Sequence, residues 1–313
     1  MKRLANTRVA FGNALLELGK KNKNIIVMSA DLSSSTYTNI FAKEFPERFF
    51  NTGVAEQSLM ATAGGLATTG KIVFVSTFAV FASGRAYDQI RQSIAHPKMN
   101  VKIVATHGGI SVGADGSSHQ TTEDIAIMRV LPNMKVIVPA DAIETDRAVR
   151  SVVDIDGPFY IRLSRGDTPL VYDDDYEFKF GKPVLLREGE DCTIFATGIM
   201  VYSAIEAHEI LKKEGINAKV VNIHTIKPID ADAIINYAKK SKAVLTAEEH
   251  SIIGGLGSAI AEVLSQTHPV KMKIIGVNDC FGISGEPMEL MERFGLTAND
   301  IVREVKTLVG DKK

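Results

Sequence analysis

Short apolar runs alternate with helix-length segments along the 313-residue chain. In the first half these runs are continuously apolar and rich in valine and isoleucine, at Ile25–Ser29, Ile72–Ser76, Val101–Ala105, Lys135–Val138 and Phe159–Leu163. Such runs are typical of parallel strands that helices cover on both faces. The segments between them predict helices at Thr7–Leu18, Ala55–Thr68, Ala86–Ile94 and Ala142–Val153. The pattern therefore predicts an α/β domain with a parallel sheet.

An acidic and aromatic stretch, headed by Asp173, Asp174 and Asp175, interrupts this alternation. Its glycine and proline content predicts a linker at 173–190, between a first domain at 1–172 and a second at 191–313. The alternation then resumes, with strands at Cys192–Ala196, Ala218–Asn222, Ala243–Ala247 and Met272–Gly276 and helices at Tyr202–Glu214, Asp232–Lys239 and Gly257–Ser265. We therefore expect two parallel or mostly parallel α/β domains, the second smaller than the first.

The composition excludes several classes of protein. A net charge of -1 provides no overall attraction to nucleic acid or to an anionic membrane. No apolar run approaches the roughly 20 residues that span a bilayer, and the N-terminus has no apolar signal core. The two cysteines, Cys192 and Cys280, lie far apart without ligand spacing, which argues against a disulfide framework or a cysteine metal site. These features predict a cytoplasmic protein that binds neither nucleic acid nor membrane.

Two segments near predicted strand ends carry candidate chemistry. Glu56 falls in the first turn of a predicted helix, where a carboxylate complements the helix dipole and needs no further role. Phe78 and Phe81 are three residues apart and would share one face of a helical turn. Such a pair either packs in the core or forms a platform on which a flat heterocycle stacks.

A glycine-rich loop follows the strand that ends at Ala105, and it is the most informative segment. It carries His107, Asp115 and His119, and loops at the carboxyl ends of parallel strands are where α/β folds place ligands. The loop lacks the Gly-Lys-Ser/Thr ending of a phosphate-binding P-loop, and its histidines lack metal-ligand spacing. Its imidazole and carboxylate groups suit a polyhydroxylated substrate.

In this order and spacing, the three segments resemble the thiamine-diphosphate pyrimidine-binding domain of transketolases. The resemblance runs from about Arg8 to Gly166 and continues less distinctively into a transketolase C-terminal-like domain. The length is similar to that of the small subunit of split transketolases. The resemblance implies transfer of a two-carbon ketol unit between ketose and aldose sugar phosphates, pentose phosphates among them.

The resemblance also implies the cofactor contacts. Glu56 would hydrogen-bond the pyrimidine N1′ of thiamine diphosphate from an apolar pocket, Phe81 would stack on the pyrimidine, and Phe78 would line the pocket. Asp31 matches an aspartate near the cofactor. Gly84 stands where the family commonly has a third aromatic residue, so the pocket is expected to be looser on that side.

The same resemblance implies the substrate contacts. His107 and His119 would act with Glu56 in catalysis and, with Asp115, would contact the sugar's carbonyl and hydroxyl groups. The phosphate would be bound by Arg8, Ser35 and Arg165.

The family's diphosphate motif, Gly-Asp-Gly followed by Asn, is absent from this sequence. We therefore expect an N-terminal transketolase subunit to hold the diphosphate and its Mg²⁺ (or Ca²⁺), with no metal bound by this chain, in an α2β2 heterotetramer. Three alternatives stay open: a deoxyxylulose-phosphate synthase-like subunit, a 2-oxoacid dehydrogenase E1 β-like subunit, and a non-catalytic homologue.

Overall fold

The computed structural model describes residues 3–310; Met1, Lys2 and residues 311–313, at the outer ends of the predicted domains 1–172 and 191–313, lie outside the described residues. The strands are β1 (Leu4–Asn6), β2 (Ile25–Ser29), β3 (Phe49–Asn51), β4 (Ile72–Phe78), β5 (Val101–Thr106), β6 (Lys135–Ile137), β7 (Phe159–Arg162), β8 (Asp167–Pro169), β9 (Val184–Arg187), β10 (Cys192–Ala196), β11 (Ala218–Asn222), β12 (Thr225–Lys227), β13 (Ala243–Ser251) and β14 (Met272–Val277). The α-helices are α1 (Thr7–Lys21), α2 (Ser33–Thr36), α3 (Asn39–Glu44), α4 (Glu56–Ala67), α5 (Tyr87–Gln89), α6 (Asp124–Val130), α7 (Ala142–Ser151), α8 (Met200–Lys213), α9 (Ala231–Ala238), α10 (Leu256–Thr267), α11 (Pro287–Arg293) and α12 (Ala298–Val309).

The first sheet has seven strands in the order β12-β6-β7-β5-β4-β2-β3. All of its pairings are parallel except that of β12 with β6. Successive residues of β2 face opposite sides, as strand geometry requires. Val27 packs with Phe11 and Leu15 of α1, whereas Met28 packs in a second cluster with Leu59 of α4. Helices therefore cover both faces, which explains the continuously apolar strands and confirms the predicted fold class.

The second sheet has five strands in the order β14-β13-β10-β11-β9, and only β9 is antiparallel. Val184–Arg187, which form β9, lie inside the predicted linker 173–190, so this sheet begins before residue 191. The segment Thr225–Lys227 lies in the second half of the chain but pairs with β6 of the first sheet. Both strands are short edge strands, and they are too short to produce a recognisable apolar pattern.

The predicted helix Ala86–Ile94 is not a regular α-helix. Wide π-helical turns at Phe81–Arg85 and Ile90–Ala95 flank the short helix α5. Such turns place an extra residue in the helical repeat and are frequent at functional sites. Hydrophobic periodicity does not reveal them, because the segment still buries one face.

A two-stranded antiparallel sheet, β1 with β8, brings Leu4–Asn6 next to the segment that follows β7. Asn6 ends β1 and caps α1, since its side chain accepts hydrogen bonds from the backbone N–H groups of Arg8 and Val9. Between residues 3 and 310, no helix has the length and apolar character needed to cross a membrane.

Candidate functional site

Candidate site residues lie at the ends of four strands along the carboxyl edge of the first sheet. Phe78 ends β4, His107 follows β5, Arg165 follows β7, and Asp31 follows β2. Parallel strands place all their carboxyl ends at one edge, which is where open α/β sheets bind ligands. The fold thus brings together segments that are more than 100 residues apart in sequence.

Glu56 is the first residue of α4, and its side chain is almost completely buried, with 1% exposed. One carboxylate oxygen, Oε2, accepts a hydrogen bond of 2.8 Å from Nη1 of Arg85. The other, Oε1, is buried and has no partner among the described atoms. The pocket is therefore not purely apolar as expected, because a guanidinium lies in it. Arg85 was missed by the sequence reasoning, although it follows Phe81 by four residues and therefore lies near it in a helical segment.

The two phenylalanines form the aromatic platform of the pocket. The rings of Phe78 and Phe81 stack with centroids 5.8 Å apart and an angle of 18° between their planes. The guanidinium carbon of Arg85 lies 4.5 Å from the centroid of the Phe81 ring. Gly84 is exposed, and a Cβ at this position would meet no atom within 4 Å.

His107 is built into the same cluster. Its ring stacks on Phe78 with centroids 3.7 Å apart, and its Nδ1 lies 2.8 Å from Oγ1 of Thr106. Its φ of 60° is unusual for a residue other than glycine. Burial lowers the pKa of His107 to about 3, and the positive charges of Arg8 and Arg165 act in the same direction. The imidazole is therefore neutral at physiological pH.

His119 also contacts the aromatic platform. Its ring contacts Phe81 edge-on, with centroids 5.3 Å apart and an interplanar angle of 73°. Its Nδ1 lies 2.9 Å from the hydroxyl oxygen of Ser118. The structure thus brings Glu56, the two phenylalanines and the two histidines into one cluster.

The two predicted phosphate-binding arginines lie near His107, as their effect on its pKa requires. Nη1 of Arg8 donates to the backbone carbonyl of Ser35 over 2.7 Å, so the structure engages the main chain of Ser35 rather than its hydroxyl. Arg165 donates to the carbonyl of Val112 and lies 3.7 Å from a carboxylate oxygen of Asp115. The arrangement concentrates positive charge at one end of the site, where an anion would be attracted.

Asp31 is exposed and lies at the rim of the sheet. Its Oδ1 accepts a hydrogen bond of 3.0 Å from Nδ2 of Asn51, and its N–H donates to Oδ1 of the same residue over 2.8 Å. Its hydrogen bonds therefore connect β2 and β3 and do not reach the aromatic platform.

These residues fit a pyrimidine ring but offer little to a metal ion. The unpartnered Oε1 of Glu56 can hold a ring nitrogen, and the Phe81 ring can stack on a flat heterocycle. Within the described range 3–310, no group of three or more His, Cys, Asp or Glu side chains is placed to hold a metal. A cavity of about 670 Å³ lies between the domains and is lined in part by Ser111 and Ser164.

The fold and site define a class: a two-domain α/β protein that offers a pyrimidine pocket at the edge of its first sheet. Residues 4–171 match the family described as "Transketolase, pyrimidine binding domain". Residues 181–301 match the one described as "Transketolase, C-terminal domain". The chain belongs to the transketolase family and corresponds to its C-terminal section, which confirms the resemblance seen in the sequence. Ketol transfer is the general function of this family, and the pyrimidine-binding domain implies thiamine diphosphate.

Relatives agree with this assignment. A Methanocaldococcus jannaschii protein described as a transketolase C-terminal section is 54% identical, covering 95% of this chain and 94% of that one. The 6-deoxy-6-sulfo-D-fructose transketolase subunit SqwH of Clostridium sp. (strain MSTE9) is 44% identical, covering 95% and 92%. Human transketolase is 36% identical over 97% of this chain, but the match spans only 49% of the human protein.

A solved structure is similar along its whole length. The one titled "Split gene transketolase, inactive beta4 tetramer" has a TM-score of 0.91 and 54% identity, covering 98% of this chain and 99% of that one. The likeness therefore extends over both domains.

Proposed function

We propose that this chain is one half of a thiamine-diphosphate enzyme that moves a two-carbon ketol unit from a ketose phosphate to an aldose phosphate. The observation that carries the proposal is the buried, unpartnered Oε1 of Glu56. The other oxygen of this carboxylate binds Arg85, whose guanidinium lies over the ring of Phe81. A buried polar atom without a partner is unfavourable, so the site is arranged for a group that has yet to bind.

The chemistry of the bound cofactor is carbanion stabilisation, and the protein supplies binding, orientation and proton transfer. Glu56 would hold the pyrimidine nitrogen through Oε1, and Phe81 would stack on the ring. His107, kept neutral and fixed at Nδ1 by Thr106, would present Nε2 to the substrate as a hydrogen-bonding group. A neutral imidazole can donate or accept a hydrogen bond without the cost of burying a charge.

His119 and Asp115 would contact the sugar hydroxyls, and Arg8 and Arg165 would bind the terminal phosphate. A pair of guanidinium groups recognises tetrahedral oxyanions through bidentate hydrogen bonds. The name of the Clostridium relative, which refers to a sulfonated fructose, makes a sulfonate an alternative anion to test. Asp31 is proposed only to support the rim of the cofactor pocket through Asn51.

We propose that an N-terminal subunit completes the site, binding the diphosphate and its Mg²⁺ or Ca²⁺, in an α2β2 assembly. Three observations support this. Human transketolase is about twice as long as the matched segment, with 49% of it covered. A similar chain in a β4 tetramer is described as inactive. The name of the Methanocaldococcus jannaschii relative refers to the C-terminal section of a transketolase, that is, to one part of a larger enzyme.

Glu56→Gln in the assembled complex tests the proposed function. The variant should fold and assemble, because Gln fills the same space and can still accept a hydrogen bond from Arg85. Proton exchange at C2 of the bound cofactor, followed by NMR, should slow by about 100- to 10,000-fold, since the carboxyl is the proposed proton-transfer partner. Normal exchange in Glu56→Gln would remove Glu56 from the mechanism.

A comparison of donor substrates tests the proposed binding of a sugar phosphate. Wild-type complex should use ketose phosphates in preference to the same ketoses without phosphate, and a sulfonated ketose is the competing donor. Equal use of phosphorylated and free ketoses would contradict the role given to Arg8 and Arg165.

A further inference from the structure

The loop that carries the proposed substrate residues, which we call the histidine loop (residues 107–120), is held by a side chain of the other domain. Glu249 lies on β13 of the second sheet, and it is buried, with 3% exposed. Its Oε1 accepts a hydrogen bond of 2.5 Å from the backbone N–H of Ser111. A carboxylate that accepts a backbone N–H makes a strong, charge-assisted hydrogen bond.

The first two glycines of the histidine loop, Gly108 and Gly109, lie against charged side chains. A Cβ at Gly109 would lie 2.2 Å from the carboxyl carbon of Glu249, and Gly109 has a φ of 86°. A Cβ at Gly108 would lie 2.6 Å from Nε of Arg162. Neither distance is possible for a real side chain, so the backbone after His107 is fitted closely to Glu249 and Arg162.

Arg162 in turn holds Glu249 in place. Nη2 of Arg162 donates to the backbone carbonyl of Glu249 over 2.9 Å, while Nε donates to Asp124 over 2.9 Å. Burial raises the pKa of Glu249, and the positive charge of Arg162 opposes this shift. The charged groups around the loop therefore form one buried network that crosses the domain boundary.

The far end of the histidine loop is also connected to the second domain. Nε2 of Gln120 donates to the carbonyls of Ile110 and Gly113 within the loop, over 3.1 and 3.3 Å. It donates over 2.9 Å to the carbonyl of Ile283, which lies between β14 and α11. Contacts with the second domain thus exist at both ends of the loop.

We propose that Glu249 is a positioning residue, through which the second domain sets the place of the histidine loop and hence of His107, Asp115 and His119. This inference rests on the proposed function above, because it gives Glu249 a role in binding the sugar. It assigns to the C-terminal domain a part in the active site, although Glu249 itself touches neither substrate nor cofactor. A loop residue displaced by about 1 Å can reduce a rate by about 100-fold.

The test compares Glu249→Ala and Glu249→Gln with Glu248→Gln in the complex with the N-terminal subunit. Glu248 is the matched control: it is also buried on β13, but its oxygens accept N–H groups of Leu256 and Gly257 at the start of α10. For Glu249→Ala we expect kcat/KM for a ketose phosphate to fall by about 10- to 100-fold. For Glu249→Gln we expect a smaller fall in kcat/KM than for Glu249→Ala, because the amide oxygen can still accept the hydrogen bond from the backbone N–H of Ser111. C2 proton exchange without sugar should stay unchanged, because Glu56 lies on a different element.

Either of two results would overturn the inference. If Glu248→Gln lowers kcat/KM as much as Glu249→Gln does, the effect comes from the fold of the second domain. If Glu249→Ala also slows C2 proton exchange, the variant disturbs the whole site rather than the loop.

Hydrogen exchange of the full chain, measured by mass spectrometry, separates this inference from the proposed function. Glu249→Ala should increase exchange across residues 109–119, and Glu248→Gln should not, whether or not the complex transfers ketol units. Equal protection of the loop in wild type and Glu249→Ala would refute the positioning role. A wild-type complex that transfers no ketol unit would refute the proposed function alone.

Discussion

Arg85 contacts both residues that the pyrimidine is proposed to use, Glu56 and Phe81, but leaves Oε1 of Glu56 without a partner. It donates to Oε2 of Glu56 over 2.8 Å and lies 4.5 Å from the centroid of Phe81. The guanidinium is half exposed, whereas the Glu56 carboxylate is buried. The cation–π contact with Phe81 is worth about 1 kcal/mol. A ring that stacks on Phe81 must displace the guanidinium from that face, which lowers the net gain when the ligand binds.

Replacing Arg85 with alanine should strengthen cofactor binding. The change removes the guanidinium from the face of Phe81, so Kd for thiamine diphosphate in the assembled complex should fall by about 2- to 10-fold. Isothermal titration calorimetry measures this directly. Arg91→Ala is the control, because Arg91 is an exposed arginine in the same helical segment. Weaker binding by Arg85→Ala would indicate instead that Arg85 orients Glu56.

His107 should make the protein less stable in acid. Its pKa is about 3 in the folded chain, against the ordinary value of 6.5. Between these pH values the unfolded chain binds a proton at His107 and the folded chain does not, so stability is lost as the pH falls. From pH 7 to pH 5 the contribution is about 2 kcal/mol.

His107→Asn should therefore lose less stability than wild type between pH 7 and pH 5. Urea unfolding of the isolated chain at both pH values measures the difference, and the exposed His96 provides the control variant His96→Asn. Parallel losses in wild type and His107→Asn would mean that His107 is protonated in the folded chain.

At the scale of elements, β1 and the start of α1 place one of the two arginines. Asn6 accepts the N–H groups of Arg8 and Val9 over 3.0 and 3.4 Å, and its Nδ2 donates to Asp167 over 2.9 Å. This residue therefore fixes the first turn of α1 against the segment that carries Arg165.

Asn6→Ala should lower the free energy of unfolding by about 1 kcal/mol, as the loss of an N-cap does. It should also raise KM for a phosphorylated ketose, because Arg8 is no longer held beside Arg165. Urea denaturation and steady-state kinetics measure the two effects. Asn6→Ser, which keeps an N-cap acceptor, should restore most of the stability; if it does not, capping is not the function of Asn6.

At the scale of the whole molecule, the two domains are joined by buried polar contacts. Nδ2 of Asn222, on β11, donates to Glu144 of α7 over 3.0 Å and to the hydroxyl of Tyr172 over 2.8 Å. Burial raises the pKa of Glu144 to about 7. Together with the pairing of β12 and β6, these contacts attach the second domain to the first sheet.

The chain without its partner should bind thiamine diphosphate weakly or not at all, and it should be inactive. One carboxyl hydrogen bond and one stacked ring contribute only a few kcal/mol, whereas Mg²⁺ binds through carboxylates and phosphates together. Calorimetry with Mg²⁺ and cofactor measures the affinity of the isolated chain for thiamine diphosphate. Activity should appear when the N-terminal subunit is added and should saturate near equimolar ratio. Turnover of ketose phosphates by the isolated chain would disprove the half-enzyme proposal.

The sequence by itself determined the two α/β domains, the strands that cross their cores, and the segments that meet in the site. Strands such as Ile25–Ser29 and Ala218–Asn222 were predicted at their observed bounds, because a buried parallel strand must be continuously apolar. His107 was singled out because it lies in a glycine-rich loop at a strand end, whereas the role predicted for Glu56 came from the family resemblance. Each of these sequence patterns lies within one short segment of the chain.

Only the tertiary structure decided which groups contact one another across those segments. Three such contacts are the ion pair of Arg85 with Glu56, the packing of Glu249 against Gly109, and the pairing of β12 with β6 of the first sheet. They join residues that are up to 140 positions apart. Burial and distance determine each of these contacts, since a charged side chain is stable in the interior only where the fold supplies its partner. The hydrophobic periodicity or composition of a single segment does not indicate which residue is that partner.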